Sequence, residues 1–445
     1  MFSPLIAVFR TPELRKKILF VLFILVLYRL GATLPSPGVD FGIVQNCLHN
    51  SGGKKGAEDL YSLINMFSGG ALLQLSVFAI GIMPYITASI IVQLLTVVIP
   101  RFEDLRKEGQ AGQAKMTQYT RYLTVGLAVL QATGIVALGS SGSLLQGKEG
   151  AAGCYPDQII HDKSIWGLSL IVVVMVAGAM VVMWFGELIT ERGIGNGMSL
   201  LISAGIVARI PAEGKMILND RGGLAFALVL VAGLVIVGGV VFIEMGQRRI
   251  PVQYAKRMVG RKMYGGSSTY LPLKVNQAGV IPVIFASSLL YLPMLVSNLT
   301  KGDNAKGWQQ FIDQHLANPT STVYIVVYFL LIIFFTYFYV AVTFNPQERA
   351  DDMKKYGGFI PGIRPGQPTA DYLGYVLSRI TLPGSIYLGV IAILPNLFLN
   401  VGNSGGVQNL PFGGTALLIM VVVALDTVKQ VNSQLMQRKY EGFLN

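Results

Sequence analysis

The sequence predicts an all-α polytopic membrane protein, with ten transmembrane helices in two inverted five-helix halves and a short half-helix. This prediction depends on an apolar composition, a succession of spanning windows and one repeated motif. Of the 445 residues, 52% are hydrophobic and 13% are charged. This balance is typical of helical membrane proteins rather than of soluble multidomain enzymes.

Apolar windows long enough to cross a hydrocarbon core follow one another along the chain. Nine of them cover residues 18–34, 76–99, 119–138, 165–185, 224–243, 275–296, 323–344, 372–394 and 414–425. A tenth window, 198–210, is short and follows a glycine-rich loop. A basic arm before the first window resembles a secretory signal, but no small-residue cleavage site follows, so we expect the first span to be retained.

The distribution of charge predicts the orientation of the spans. Ten spans place both termini on one side of the membrane. Most lysines and arginines fall in the N-terminal arm, the even-numbered connections and the C-terminal tail. By the positive-inside rule, both termini are therefore expected in the cytoplasm.

A motif in the second window recurs in the seventh. The residues that match in register are Gly81, Pro84, Ile86, Ala88 and Ser89, which recur as Gly279, Pro282, Ile284, Ala286 and Ser287. Two halves of five spans each must face opposite ways, a plan that places a working site between them near the bilayer midplane. We therefore divide the chain into an N-terminal half, 1–222, and a C-terminal half, 223–445.

The apolar stretch 61–99 is too long for one membrane helix. At about 1.5 Å per residue it would extend about 58 Å, against a hydrocarbon core of about 30 Å. Breaks at 68–70 and 81–84 predict a half-helix over 61–72 and a full span over 76–99. Half-helices persist in a membrane only where protein or a water-filled cavity satisfies their backbone ends, so the pattern predicts a cavity.

Cysteine and histidine usage argues against metal and cofactor chemistry. The only cysteines are Cys47 and Cys154, too few for a disulfide scaffold or a cysteine zinc cluster. His49, His161 and His315 are far apart in predicted external connections. A Walker-type phosphate loop is also missing from the sequence. We expect no metal, no cofactor and no enzymatic activity.

Acidic residues lie at the ends of the predicted spans rather than at mid-depth. Glu187, Glu244 and Asp426 all fall at predicted cytoplasmic ends. Ion-coupled transporters usually keep ionisable groups at mid-depth. This weakens the alternative of an inverted-repeat secondary transporter for a small solute, although Na⁺ coupling through backbone carbonyls stays open.

Six ordered blocks resemble one family, the SecY channel subunits of the bacterial Sec protein translocase. The blocks are NMFSGGA (65–71), FAIGIMPYI (78–86), ITERGIGNG (189–197), QRRI (247–250), LPLKVN (271–276) and FIPGIRPG (359–366). The resemblance extends over essentially the whole chain. It implies the central subunit of a channel that passes unfolded secretory chains across the cytoplasmic membrane and releases transmembrane segments through a lateral gate.

The resemblance implies a plug and a ring in the pore. The plug and its hinge would comprise Tyr61, Leu63, Ile64, Met66, Phe67, Ser68, Gly69 and Gly70. The ring would comprise Ile82, Ile86, Met198, Ile202, Ile284 and Ile419. An aliphatic collar can close around a passing chain without hydrogen-bonding it, and it dewets when empty. The alternative is that these are ordinary helix-packing residues.

The resemblance also implies that windows 76–99 and 275–296 form the two walls of the lateral gate. Gln93 and Gln131 are candidate polar gate residues, or equally residues that make routine interhelical hydrogen bonds.

Two cytoplasmic loops, 245–274 and 345–371, carry the predicted partner-binding residues. These are Arg248, Arg249, Lys256, Arg257, Arg261, Lys262 and Arg364. Topology alone, or contact with anionic lipid, also explains such charge. A basic loop of this length suits phosphates of ribosomal RNA or acidic patches on a motor protein.

The implied partners are a SecA-like ATPase, the ribosome, small SecE-like and SecG-like membrane subunits, unfolded client chains and the lipid bilayer. One hypothesis goes beyond the family: Cys47 and Cys154 could pair in an oxidising compartment.

Overall fold

A computed structural model of the chain describes residues 11–40, 42–44, 68–72, 74–140, 159–254, 257–259, 262–264, 268–299, 315–316, 321–401 and 414–441. Its helices are α1 Pro12–Thr33, α2 Met83–Val98, α3 Pro100–Lys107, α4 Gln110–Ser140, α5 Ile165–Arg192, α6 Gly197–Met245, α7 Ile281–Leu299, α8 Thr322–Thr343, α9 Pro346–Lys355, α10 Gln367–Val401 and α11 Gly414–Glu441. Its strands are β1 Gln247–Tyr254, β2 Arg257–Val259, β3 Lys262–Tyr264, β4 Ser268–Lys274 and β5 Gly358–Phe359.

The helical membrane architecture is confirmed. Within the described ranges, 6 helices are long and apolar enough to cross a membrane, or 7 if α2 and α3, which meet at a bend of 100°, count as one broken span. Two shorter apolar helices, Gly197–Pro211 and Ile281–Leu290, add to these. Lipid-exposed faces are apolar, as Phe242 and Leu330 illustrate, because a bilayer solvates such side chains.

The predicted span 76–99 is wrong at its start, since α2 begins only at Met83. The preceding residues form turns that bond to the end of α1. The amide of Val77 donates to the carbonyl of Leu34 over 2.9 Å, and Ser36 donates to Leu75 over 3.1 Å. The seventh window differs in the same way, because α7 begins at Ile281 rather than at 275. Hydropathy does not separate an apolar turn from an apolar helix.

The sequence repeat corresponds to a repeated backbone conformation. Gly81 and Gly279 have φ of 60° and 63°, in the left-handed region that favours glycine. Each lies two residues before a helix whose second residue is proline, Pro84 in α2 and Pro282 in α7. Proline is tolerated there because the first helical N–H groups lack partners in any case. The repeat is therefore one supersecondary device used twice.

A break inside α6 separates the fifth predicted window from the sixth. Gly222 has φ 83° and ψ 173°, which no α-helix contains, and Pro211 lies in the preceding part. The boundary between the two proposed halves falls directly after Gly222. The division into halves stays a prediction.

A small antiparallel sheet, which the sequence did not indicate, joins the two predicted partner-binding loops. Its strand order is β4-β1-β5. Strand β1 pairs with β4 from Gln247↔Lys274 to Gln253↔Ser268, and with β5 at Gln253↔Phe359. Apolar residues of this sheet, Ile250 and Leu273, pack with residues of α8 and α10. Both loops therefore lie against the same end of the helices.

An ion pair fastens α4 to α5. Arg121 donates to both carboxylate oxygens of Glu187, Nε to Oε1 over 3.0 Å and Nη2 to Oε2 over 2.7 Å. The Glu187 side chain is only 15% exposed. Bidentate pairs of this kind hold geometry as well as charge, so this one sets how the two helices pack.

We expect Glu187→Gln to lower the stability of the detergent-solubilised protein by about 1–3 kcal/mol, because it leaves a half-buried guanidinium without its counter-charge. Thermal unfolding measures the effect. The control is Glu103→Gln, which breaks an exposed pair with Lys107 (2.8 Å) and should change stability much less. Equal effects of the two changes would contradict the prediction.

Candidate functional site

The six predicted ring positions all lie in or against one large apolar cluster, which also contains residues of α1, α5, α8 and α10. Ile82, Ile202, Ile284 and Ile419 are buried members of the cluster, and Ile86 and Met198 pack against it. The residues come from four separate places in the chain: the start of α2, the start of α6, the start of α7 and α11. Because the cluster is apolar, it offers a passing solute van der Waals contact rather than hydrogen bonds.

The start of α6 places two of these side chains. The Asn196 side chain caps the helix by accepting from the amides of Met198 (3.1 Å) and Ser199 (3.4 Å). Gly197 donates to the Thr190 hydroxyl of α5 over 2.9 Å. Helical spacing then sets Met198 and Ile202 one turn apart on one face. The short predicted window 198–210 is therefore a capped helix that begins one residue earlier.

Three further ring residues lie at the starts of α2 and α7. The amide of Ile86 donates to the Ile82 carbonyl over 3.1 Å, so Ile82 and Ile86 are one turn apart where α2 begins. In α7 the amide of Ile284 donates to the Val280 carbonyl over 3.3 Å. Ile86 and Ile284 thus occupy the same step of the repeated turn-helix device.

The predicted hinge is held by α1. Arg29 Nη1 donates to the carbonyl of Gly69 over 2.8 Å, and the Tyr28 hydroxyl approaches the carbonyl of Ser68 at 3.5 Å. Ser68 is fully buried, and its hydroxyl accepts from the amide of Leu72 over 3.1 Å. Backbone carbonyls removed from water need such partners, so these bonds fix the segment in place.

Only residues 68–72 of the predicted plug helix are among the described residues. Tyr61, Leu63, Ile64, Met66 and Phe67 lie outside the described residues. Residues 68–72 form turns rather than the last turns of the predicted half-helix 61–72. Left-handed φ values at Gly69 (68°) and Gly70 (94°) exclude a helix there. That part of the half-helix prediction is wrong, and the break at 68–70 is a bend.

The two predicted gate walls touch. Helix α7 contacts both α2 and α4. Gln93 donates to Ser89 of its own helix over 3.4 Å, whereas Gln131 is buried on α4. Sequence reasoning missed Ser288, whose buried hydroxyl on α7 has no hydrogen-bond partner in the described part of the chain. An isolated serine in an apolar window gives no signal of its own.

Some of the predicted partner-binding residues lie among the described residues, and two do not. Arg248 and Arg249 are exposed on β1, and Arg364 is exposed in the loop that follows β5. Arg257 and Lys262 lie on β2 and β3. Lys256 and Arg261 lie outside the described residues. Because β1 pairs with β5, the sheet brings the exposed arginines of the two loops onto one end of the molecule.

The remaining sequence predictions concern metals and cysteines. Among the described residues, histidine, cysteine and carboxylate side chains form no cluster that could hold a metal ion. His161 lies in a loop, where its amide donates to the Gly38 carbonyl over 3.0 Å. Cys47 and Cys154 both lie outside the described residues, so their pairing stays a prediction.

Comparison with known proteins places these features in a family. The SecY family model matches residues 76–428. The protein translocase subunit SecY of Mycobacterium leprae is 70% identical over 448 residues, covering 100% of both chains.

Two solved structures share the fold at low sequence identity. One is described as the structure of a protein conducting channel (TM-score 0.62, 17% identity, 93% of this chain and 91% of that chain). The other is Sec61 in the canine ribosome-channel complex (TM-score 0.57, 17% identity, 93% and 91% coverage).

The bend at 68–70 yields a test of local structure. A Cβ at Gly69 would lie 3.0 Å from Arg29 Nη1 and 3.0 Å from the Cα of Gly205, in addition to the strain of its positive φ. Since left-handed backbone disfavours a side chain by about 1–2 kcal/mol, Gly69→Ala should speed amide exchange in 68–82 by about 5–30-fold. Hydrogen–deuterium exchange in nanodiscs measures this.

The controls separate strain from crowding. A Cβ at Gly70 meets nothing within 4 Å, so Gly70→Ala should show the strain without the crowding and have a smaller effect. Gly126 of α4 has open space and no positive φ, so Gly126→Ala should leave exchange in 68–82 unchanged. An unchanged rate in Gly69→Ala would show that the bend does not depend on this glycine.

Proposed function

The chain belongs to the SecY family, and from this premise we propose that it is the central subunit of a protein-conducting channel. It passes unfolded secretory polypeptides across the cytoplasmic membrane and releases transmembrane segments sideways through a lateral gate. The observation that carries the proposal is that all six ring positions, from four separate places in the chain, lie in or against one apolar cluster.

An apolar ring suits a polypeptide of any sequence. A passing chain presents varied side chains, and aliphatic walls close around them without demanding particular hydrogen bonds. When the ring is empty, an aliphatic constriction dewets and holds back ions. A secondary transporter for a small solute needs polar groups at the midplane instead. The aliphatic character of all six positions favours the channel.

The bend at 68–70 supports a movable plug. Residues 61–67 precede it, and its carbonyls are held by Tyr28 and Arg29 of α1. These contacts are hydrogen bonds, which water can replace when the pore fills. Gly69 also lies against Gly205 of α6, the helix that carries Met198 and Ile202. The bend therefore lies close to the ring that the plug would seal.

The contact between α2 and α7 supports a lateral gate. Both helices begin after a left-handed glycine, and the apolar side chains of each reach the ring at one end. Parting them would open the pore toward lipid. A helix of about 20 apolar residues needs such an opening to leave the channel.

The chain is a membrane protein, and we propose the following membrane and orientation for it. Both termini and the basic loops face the cytoplasm, and the membrane is the bacterial inner membrane. The channel performs no catalysis itself. A SecA-like ATPase or a translating ribosome supplies the energy through the basic loops, and small SecE-like and SecG-like subunits brace the helices.

Crosslinking tests the pore. A photo-crosslinking residue at position 86 or 284 should capture a stalled secretory chain, because both side chains belong to the ring cluster. The matched control is position 330, where Leu330 is exposed on the outer face of α8. Capture at 330 but not at 86 or 284, or protection of 86 and 284 by a small solute, would contradict the channel.

Charge reversal tests the basic loops. The double variant Arg257→Glu, Arg261→Glu should weaken binding of the ribosome or the motor protein while topology is preserved. If the partner surface is RNA, the slope of log affinity against log salt should fall by about two. Reversal of Lys107 and Lys115, exposed lysines of another connection, serves as the control. Unchanged binding in the loop variant would leave topology as the only role of these charges.

A further inference from the structure

A polar cavity of about 270 Å³ opens beside the ring, on the side where the basic loops lie. Three helices that carry ring residues contribute to its wall: Ser199 from α6, Ile281 from α7 and Val423 from α11. Each of these lies within about one helical turn of a ring position in its own helix. The cavity therefore lies next to the ring positions rather than elsewhere in the bundle.

The cavity contains a buried carboxylate without a cation within ion-pair distance. Glu244 at the end of α6 is 5% exposed, and Asn276 donates to it through Nδ2. In the described part of the chain, no lysine or arginine nitrogen pairs with Glu244. The nearby Lys274 bonds to Asp426 instead, over 3.2 Å. With two carboxylates and one ammonium, the wall carries a net charge of −1.

Among the described residues, no donor reaches two amide oxygens in the same wall. Asn276 is 3% exposed, and its Nδ2 is used by Glu244 and by the carbonyl of Gly279 (3.1 Å), while its Oδ1 has no partner. The Oε1 of Gln277 is likewise buried without a partner. Unpaired buried acceptors are unfavourable, and here they lie beside a carboxylate on which Lys274 and Lys429 act electrostatically without pairing with it. Glu244, Asn276 and Gln277 can each accept a hydrogen bond from a ligand.

We infer that this cavity binds a primary ammonium group of the entering polypeptide, a lysine side chain or the α-amino group, with Glu244, Asn276 and Gln277 as acceptors. An ammonium has three N–H donors and no acceptor, which matches one carboxylate and two amide oxygens. It also brings the net charge of the wall to zero. The inference depends on the proposed channel function.

The planar, five-donor guanidinium matches this wall less well than an ammonium does. It presents its donors in a fixed fork that suits bidentate pairing with one carboxylate. Oε1 of Glu244 already accepts from Asn276, and the other acceptors belong to separate side chains. We therefore expect the site to prefer lysine to arginine near the start of a client chain.

The experiment uses the full-length protein, with its partner subunits, in proteoliposomes. A photo-crosslinking residue replaces Ser199, and stalled client chains carry lysine, arginine or glutamine in the segment before their first apolar stretch. Capture at position 199 should be strongest for lysine. Glu244→Gln should reduce the preference for lysine over glutamine by about tenfold, the size expected for one charge-assisted hydrogen bond. Glu103→Gln, an exposed charge change outside the cavity, should leave the preference intact.

A second variant, with the charge at position 244 reversed, distinguishes loss of the site from misfolding. Glu244→Lys should invert the preference, so that a client with glutamate in that segment is captured better than one with lysine. An equal lysine preference in the native protein and in Glu244→Gln, with secretion intact, overturns the ammonium site but leaves the channel standing. Failure of the native protein to secrete any client would instead overturn the proposed function.

Discussion

The unwound backbone between Ser68 and Ile82 is the constraint on which much of the N-terminal part depends. A membrane offers no water to exposed amides and carbonyls, so every such group must find a partner inside the protein. The end of α1 supplies many of these partners: Arg29 for Gly69, and Leu34 for the amide of Val77. The first helix is thus a hydrogen-bonding support as well as a span.

The C-terminal part solves the same problem with different residues. Its unwound stretch before α7 is held by Asn276, which donates to the Gly279 carbonyl, and by the bond from Val275 to the carbonyl of Gly246. Both stretches then end in a left-handed glycine and a proline-initiated helix. The sequence repeat therefore has the same backbone shape at both places, while the side chains that hold it differ because the neighbouring elements differ.

Sequence patterns predicted what depends on periodicity and missed what depends on long-range pairing. The spanning windows and the repeat of Gly81 at Gly279 can be read from the sequence alone, and they predicted the helical architecture. The start of α2 at Met83 was not visible, because turns and helices of apolar residues have the same hydropathy. The acceptors around Glu244 were missed for another reason: Glu244, Asn276 and Asp426 lie on three elements, and only folding brings them together.

The sheet that joins the two loops has a mechanical consequence. Strand β1 is bonded along both edges, to β4 on one side and to β5 on the other. Strand β4 leads into the turns that start α7, and β5 lies shortly before α10 in the chain. A force applied to the loop 245–274 is therefore transmitted to two helices, α7 and α10, instead of one.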